Sequence, residues 1–288
     1  MMFYSAGVIR LFLFCLSKLF EHNNGHLMSQ TNKTRVAELL TILSQTPTGK
    51  ELVDLAERQD VMILLSPDVK GASKVHRKLV KLNASAPLDK QVLLLAHELR
   101  HIQQEHRGLI MHGATDIINN LVLTRFKEAD AFAIETQVAW EMTERNIHKD
   151  AWKNYKKQEP ELAAIYERCY QNNSDLSERM WSVFDGWFRS SYKDAYDKTS
   201  IDISRQQLER KASGRMSYPV SDEKDFDYSD PEFLRSIGYM NAEVNYLASA
   251  NTHAELYTGK ISKKNQRDIE RLDQIYNSGI ETLIPHHP

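Results

Sequence analysis

The chain has little glycine and little proline. Only 11 glycines and 8 prolines occur among 288 residues, whereas average proteins use the two together at about 12%. Turn-forming residues are therefore scarce, and long helices are expected. Because 41% of the residues are hydrophobic, the chain can bury a core, which excludes disordered and fibrous classes. The composition predicts a mostly helical globular protein.

Cysteine is almost absent. Cys15 and Cys169 are the only two, and no CxxC pair occurs. A disulfide framework and a cysteine zinc site are therefore both excluded as explanations of the fold. A reducing compartment, and hence a cytoplasmic location, is the expectation.

The sequence also has no excess of positive charge and no phosphate-binding loop. Lys plus Arg is 37 against 39 for Asp plus Glu, a formal net charge of −2, so nucleic acid is not an expected partner. No GxGxxG or GxxxxGK motif occurs, and the GxSxG elbow of α/β serine hydrolases is missing too. Nucleotide chemistry and this serine hydrolase class have no support.

No hydrophobic run is long enough to span a bilayer. Arg10 and Lys18 interrupt the apolar residues 1–20, and a spanning helix needs about 20 consecutive apolar residues. Residues 1–27 are therefore interpreted either as an over-long start before Met28 or as a hydrophobic segment whose first 20 residues associate peripherally with a membrane. A signal peptide is not expected, because no small-residue cleavage site follows.

Hydrophobic periodicity predicts an α+β domain over residues 28–148 and a helical C-terminal region over 149–288. Two β-type runs, 61–65 and 77–83, predict a small two- or three-stranded sheet, expected to be antiparallel. Thr48 to Glu51 has the spacing of a capping box, which predicts a helix start at Thr48. Two further helices are predicted, at 88–107 and 117–145.

The first of these two helices contains an HExxH motif, His97-Glu98-Leu-Arg-His101. Residues four apart lie on one helix face, so two imidazoles can bind one metal ion, while Glu98 lies about 100° round the helix. Glu98 is thereby placed to take a proton from a zinc-bound water, whose pKa zinc lowers to about 7. The motif predicts a catalytic Zn²⁺ site with Glu98 as the general base.

A catalytic zinc needs a third protein ligand. The HExxHxxGxxH solution fails because residue 104 is Gln and residue 107 is Arg. The next helix offers Glu128, Asp130 and Glu135. We favour Glu128, since His₂Glu is a common catalytic zinc set. Asp130 is the rival ligand or an acceptor for a ligand histidine, and Glu135 is the weaker third candidate.

The segments LLLAHELRHIQQ and KEADAFA resemble gluzincin-type HExxH zinc peptidases and, more narrowly, an uncharacterised bacterial family of metallopeptidase domains. The resemblance covers about residues 36–145 and implies that the domain over residues 28–148 is a zincin-like metallopeptidase domain. It implies zinc on His97, His101 and Glu128, with Glu98 as the base. The sequence departs from better-known gluzincins at residue 132, where Phe replaces the acid that follows their third ligand by four residues.

The predicted function is zinc-dependent hydrolysis of peptide bonds in peptide or protein substrates, which the edge of the small sheet can align by β-augmentation. His106, His112 and His253 are each expected to be structural or on the surface. His253 or a nearby tyrosine is also a candidate for the donor that stabilises the oxyanion, with no single residue favoured. The alternative is a non-catalytic helical interaction protein with a structural or vestigial zinc site. A fourth protein ligand at the metal would favour that alternative.

Overall fold

A computed structural model describes residues 30–69, 73–76, 78–109, 117–212, 230–240, 244–248, 257–259 and 261–277. The predicted N-terminal segment 1–27, His112 and His253 lie outside these residues. The mostly helical α+β class is confirmed, with ten helices and three strands in the described part of the chain. The elements are α1 (Gln30–Ser44), α2 (Pro47–Arg58), β1 (Met62–Ser66), β2 (Ser73–His76), β3 (Leu79–Asn83), α3 (Leu88–His106), α4 (Ile117–Glu144), α5 (Ala151–Gln158), α6 (Pro160–Gln171), α7 (Leu176–Arg189), α8 (Tyr192–Ala212), α9 (Pro231–Gly238) and α10 (Lys263–Asn277).

Helix α2 starts two residues earlier than its capping box predicts. Its N-cap is Thr46, whose side chain accepts a hydrogen bond from the Gly49 backbone amide, and Pro47 occupies the first turn. Proline suits this position because its fixed φ is helical and the missing N–H would have no helical partner. Thr48 is thus inside the helix, where its hydroxyl donates to Glu141 over 2.8 Å.

The sheet has three strands in the order β1-β3-β2. Strand β3 pairs antiparallel with β2 and parallel with β1, with Met62 opposite Leu79 and Leu65 opposite Leu82. The expectation that the two predicted strands pair antiparallel is wrong. The physical reason is the extra strand β2, which reverses the chain between them. Burial alternates along β1 and β3, so one face of each strand belongs to the core.

The two helices that carry the predicted ligands are confirmed, and their ends have local causes. Helix α3 ends just before Gly108, whose φ of +88° is left-handed and common just after a helix because glycine has no Cβ. Helix α4 is 28 residues long, and its middle section is apolar on most sides. A helix with this pattern is buried.

The chain forms two compact units, neither of which is one continuous stretch. The first comprises the described residues up to Gln103 together with Gln137–Tyr155. Its core includes Leu39, Leu52 and Val80. Buried Glu141 accepts bonds from the Thr48 amide and hydroxyl and from Gln137, and its burial raises its pKa.

The second unit comprises Gln104–Thr136 together with the described residues from Lys156 onward. Its centre is aromatic: the Phe126 ring lies 6.1 Å from Phe184 and 5.6 Å from Phe188, measured between centroids. Phe184 and Phe188 belong to an apolar stripe on α7 that also contains fully buried Trp187. The regular secondary-structure elements of this unit are all helices in its described residues. None of the described helices of the whole chain is long and apolar enough to cross a membrane.

Candidate metal centre

The HExxH residues lie in the second half of α3, where the helix is buried. His97, Glu98 and His101 each expose only 7% of their surface. They follow the apolar run 92–96, which packs into the core and fixes which way this helix faces. Buried imidazole and carboxylate groups need polar partners, so three of them within five residues indicate a site with its own chemistry.

The two histidines point ring nitrogens at one another. The Nε2 atoms of His97 and His101 are 3.2 Å apart, and the rings are nearly perpendicular at 80°. Two nitrogens that each bind a tetrahedral zinc at about 2.0–2.1 Å lie about 3.3–3.4 Å from each other. The observed separation therefore fits a shared metal ion, as well as an imidazole N–H donating to the other ring.

Glu128 on α4 joins this pair. Ligand atoms of His97, His101 and Glu128 all lie within 4.8 Å of one another, and they form the group of three that could hold a metal ion in the described residues. Glu128 is half-buried, whereas both histidines are buried.

Asp130 is fully buried and faces other partners. Its Oδ2 accepts from Gln104 Nε2 over 2.6 Å, and its Oδ1 accepts from the Tyr246 hydroxyl over 2.6 Å. Each carboxylate oxygen thus has a short hydrogen bond from a neutral donor. Asp130 does not belong to the metal-binding group of the described residues.

Lys127, the residue before Glu128, adds a positive charge. Its ammonium lies 3.7 Å from Glu105 Oε1. Burial lowers the Lys127 pKa, while the charges of Glu105 and Glu128 act to raise it. Burial is the largest of these influences, so the pKa of Lys127 lies below its usual value.

A family model matches residues 15–241, about four-fifths of the chain. Its description is "Putative metallopeptidase family (DUF6782)". The chain belongs to this family. Membership implies a metal and a peptide or protein substrate. No curated protein and no solved structure matches the chain.

Glu135 and His106 of this family member are not among the three residues of the group. Glu135 is buried further along α4, and His106 is exposed at the end of α3. His253 lies outside the described residues. Tyr257, near it in sequence, donates its hydroxyl to Asp185 over 3.1 Å, and burial raises its pKa.

Sequence reasoning missed Gln104 and Tyr246. Gln104 entered only as the residue that breaks the HExxHxxGxxH pattern, and Tyr246 was one of 12 tyrosines. A signal for Gln104 existed, because it lies three residues after His101 on the same helix and must be buried beside it. Nothing local pointed to Tyr246, which meets Asp130 across 116 residues of chain.

Proposed function

We propose that this protein is a zinc-dependent peptidase in which His97, His101 and Glu128 hold the metal and Glu98 is the general base. The observation that supports it most is the meeting of these three ligand side chains in a member of a metallopeptidase family. Two neutral imidazoles and one carboxylate are a donor set that zinc accepts in peptidases. The described residues bring three protein groups together, and three protein ligands are the number typical of catalytic zinc sites.

Zinc bound there would lower the pKa of a coordinated water to about 7 and polarise the substrate carbonyl. The work of the chain's own residues is distinct. Glu98 follows His97 directly and lies about 100° round α3 from it, so it can accept the proton of the attacking water without occupying a ligand position. It can then donate that proton to the leaving amine as a general acid. Glu98 exposes only 7% of its surface.

The substrate class is peptide or protein. Strand β1 is at one edge of the sheet, and an extended peptide can add to such an edge through backbone hydrogen bonds. Alignment of substrate on the sheet stays a prediction, as does the identity of the oxyanion-stabilising group.

The decisive experiment compares Glu98→Gln with the wild type. We expect zinc content to stay near one per chain, because Glu98 is not a ligand, while cleavage of an unstructured protein substrate falls by about 10²–10⁴-fold, the usual worth of general acid–base catalysis. Elemental analysis and a peptide-release assay measure the two effects. Loss of zinc together with activity would show that Glu98 holds the metal, and undiminished cleavage would refute it as the base.

The third ligand is tested by isosteric changes on α4. Glu128→Gln should lower zinc occupancy strongly, and Asp130→Asn should weaken zinc affinity by only about 10- to 100-fold. Glu135→Gln is the matched control, since it removes a buried carboxylate from the same helix without touching the group. If Asp130→Asn empties the site and Glu128→Gln does not, Asp130 is the ligand. If the wild type holds zinc but cleaves nothing, the non-catalytic alternative is favoured.

A further inference from the structure

A buried hydrogen-bond network lies immediately beside Glu128 and has no role in the proposed chemistry. Gln104 Nε2 donates to the Lys127 backbone oxygen over 2.9 Å and to Asp130 Oδ2 over 2.6 Å. The side-chain amide of Gln104 thus bonds Lys127, which precedes Glu128, and Asp130, which follows Glu128 by two positions. Gln104 and Asp130 are almost fully buried, where polar groups are costly unless they are bonded.

Tyr246 completes this network from a distant part of the chain. Its hydroxyl donates to Asp130 Oδ1 over 2.6 Å, and only 2% of the residue is exposed. Asp130 thus accepts from Gln104 through one oxygen and from Tyr246 through the other. Both bonds are short and charge-assisted, and such bonds are roughly twice as strong as bonds between neutral groups.

The network limits the positions that the Glu128 carboxylate can adopt. Glu128 is the least buried of the three ligand residues, so packing alone holds its side chain less than it holds the imidazoles. Gln104 lies three residues after His101 on α3, and it bonds α4 on both sides of Glu128. A rotation or slide of α4 would break both of these bonds.

We propose that Gln104, Asp130 and Tyr246 are positioning residues that hold Glu128 in register with the two histidines. The proposal rests on the proposed function, because it assumes that Glu128 binds the metal. Groups that orient metal ligands without touching the metal are typically worth about 10- to 100-fold in metal affinity. We therefore expect loss of the network to weaken zinc binding in addition to its cost in the stability of the metal-free fold.

Two buried tyrosines provide a matched test. Tyr246→Phe removes the hydroxyl that donates to Asp130, and Tyr257→Phe removes a hydroxyl that donates to Asp185 in the same unit. Both changes should lower the melting temperature of the metal-free protein by a few degrees. Only Tyr246→Phe should weaken zinc binding, by about 10-fold or more, measured by competition with a chromogenic zinc chelator.

Gln104→Met is the second variant, because methionine has a similar length and donates no hydrogen bond. We expect a comparable loss of zinc affinity and a changed absorption spectrum of the cobalt-substituted protein, which reports the coordination geometry. Circular dichroism of the metal-free form checks that the variant folds. If it does not fold, Tyr246→Phe alone decides.

Zinc affinities that are unchanged in both variants would overturn the proposal. An equal loss in Tyr246→Phe and Tyr257→Phe would overturn it as well, because affinity would then follow general stability. Failure of the proposed function can be distinguished from failure of the positioning role. A wild-type protein that binds no zinc refutes both proposals, whereas zinc-binding wild type with unaffected variants refutes only the positioning role.

Discussion

Helix α4 carries two buried polar clusters within one turn of each other, and they differ in how their charges are matched. Arg125 is fully buried and forms a two-pronged ion pair with Asp197, with N···O distances of 2.6 and 2.7 Å. Its remaining donors reach the backbone oxygens of Tyr257 and Gly259. Three residues later, Glu128 meets two imidazoles instead.

The two clusters differ in the chemical groups that face one another. The Arg125 guanidinium and its carboxylate neutralise each other, and planar donors meet planar acceptors in fixed geometry. In the other cluster, two ring nitrogens lie 3.2 Å apart next to a carboxylate, which is an arrangement of electron-pair donors suited to a cation. Burial alone does not distinguish one cluster from the other, whereas the chemical identity of the partner groups does.

The largest expected effect is the loss of metal from the histidine cluster. His97→Ala or His101→Ala leaves two ligands for an ion that needs three, so zinc content should fall to near zero and peptide cleavage with it. His106→Ala is the matched control, because His106 lies on the same helix but is exposed. Elemental analysis of the three purified variants measures the effect. Near-stoichiometric zinc in both His97→Ala and His101→Ala would show that the histidine cluster does not hold the metal. The comparison of the two clusters on α4 would then lose its basis.

Substitutions in the Arg125 cluster should change the free energy of unfolding rather than the zinc content. Arg125→Met leaves the buried Asp197 carboxylate with the Lys193 ammonium at 3.3 Å as its cation within the described residues, and breaking a buried pair costs about 3–5 kcal/mol in unfolding free energy. Arg125→Met combined with Asp197→Leu should regain part of that loss, because the buried carboxylate is removed while Lys193 keeps Asp194 at 3.5 Å. Urea denaturation of the metal-free proteins measures both. A double variant no more stable than the single one would contradict the ion-pair account.

Lys193→Met gives the smallest expected effect. Lys193 is a second cation on Asp197, whose two oxygens already bond Arg125. Its removal should cost about 1–2 kcal/mol of unfolding free energy and leave zinc affinity unchanged. A loss as large as that of Arg125→Met would mean that the two cations share the carboxylate equally.

Much of this architecture follows from local sequence patterns. The i, i+4 spacing of His97 and His101 on an apolar helix predicted two imidazoles on one face, and their nitrogens do face each other. The buried helix 117–145 was predicted from its apolar middle section, and it is α4. Both inferences rest on helical periodicity, which needs no knowledge of distant contacts.

The features that were mispredicted or missed depend on contacts between distant segments. Strand β2, Ser73–His76, contains one hydrophobic residue, so the sequence has no alternation of hydrophobic and polar residues that would predict a strand there. Because β2 was not predicted, the parallel pairing of β1 with β3 could not be predicted either. The metal-binding role of Glu128 over Asp130 stays a prediction. The contacts that distinguish these two residues come from Gln104 and Tyr246, 26 and 116 residues away from Asp130.

The Tyr246 contact also bears on when the site is completed during synthesis. Tyr246 follows Asp130 by 116 residues, and ribosomes add about 5–20 residues per second. All three proposed ligand side chains therefore leave the ribosome roughly 6–24 seconds before the hydroxyl that bonds Asp130. If that hydroxyl helps to position Glu128, the nascent chain passes through an interval in which it has its ligands but binds zinc more weakly. Full metal affinity then arises only after residue 246 has left the ribosome.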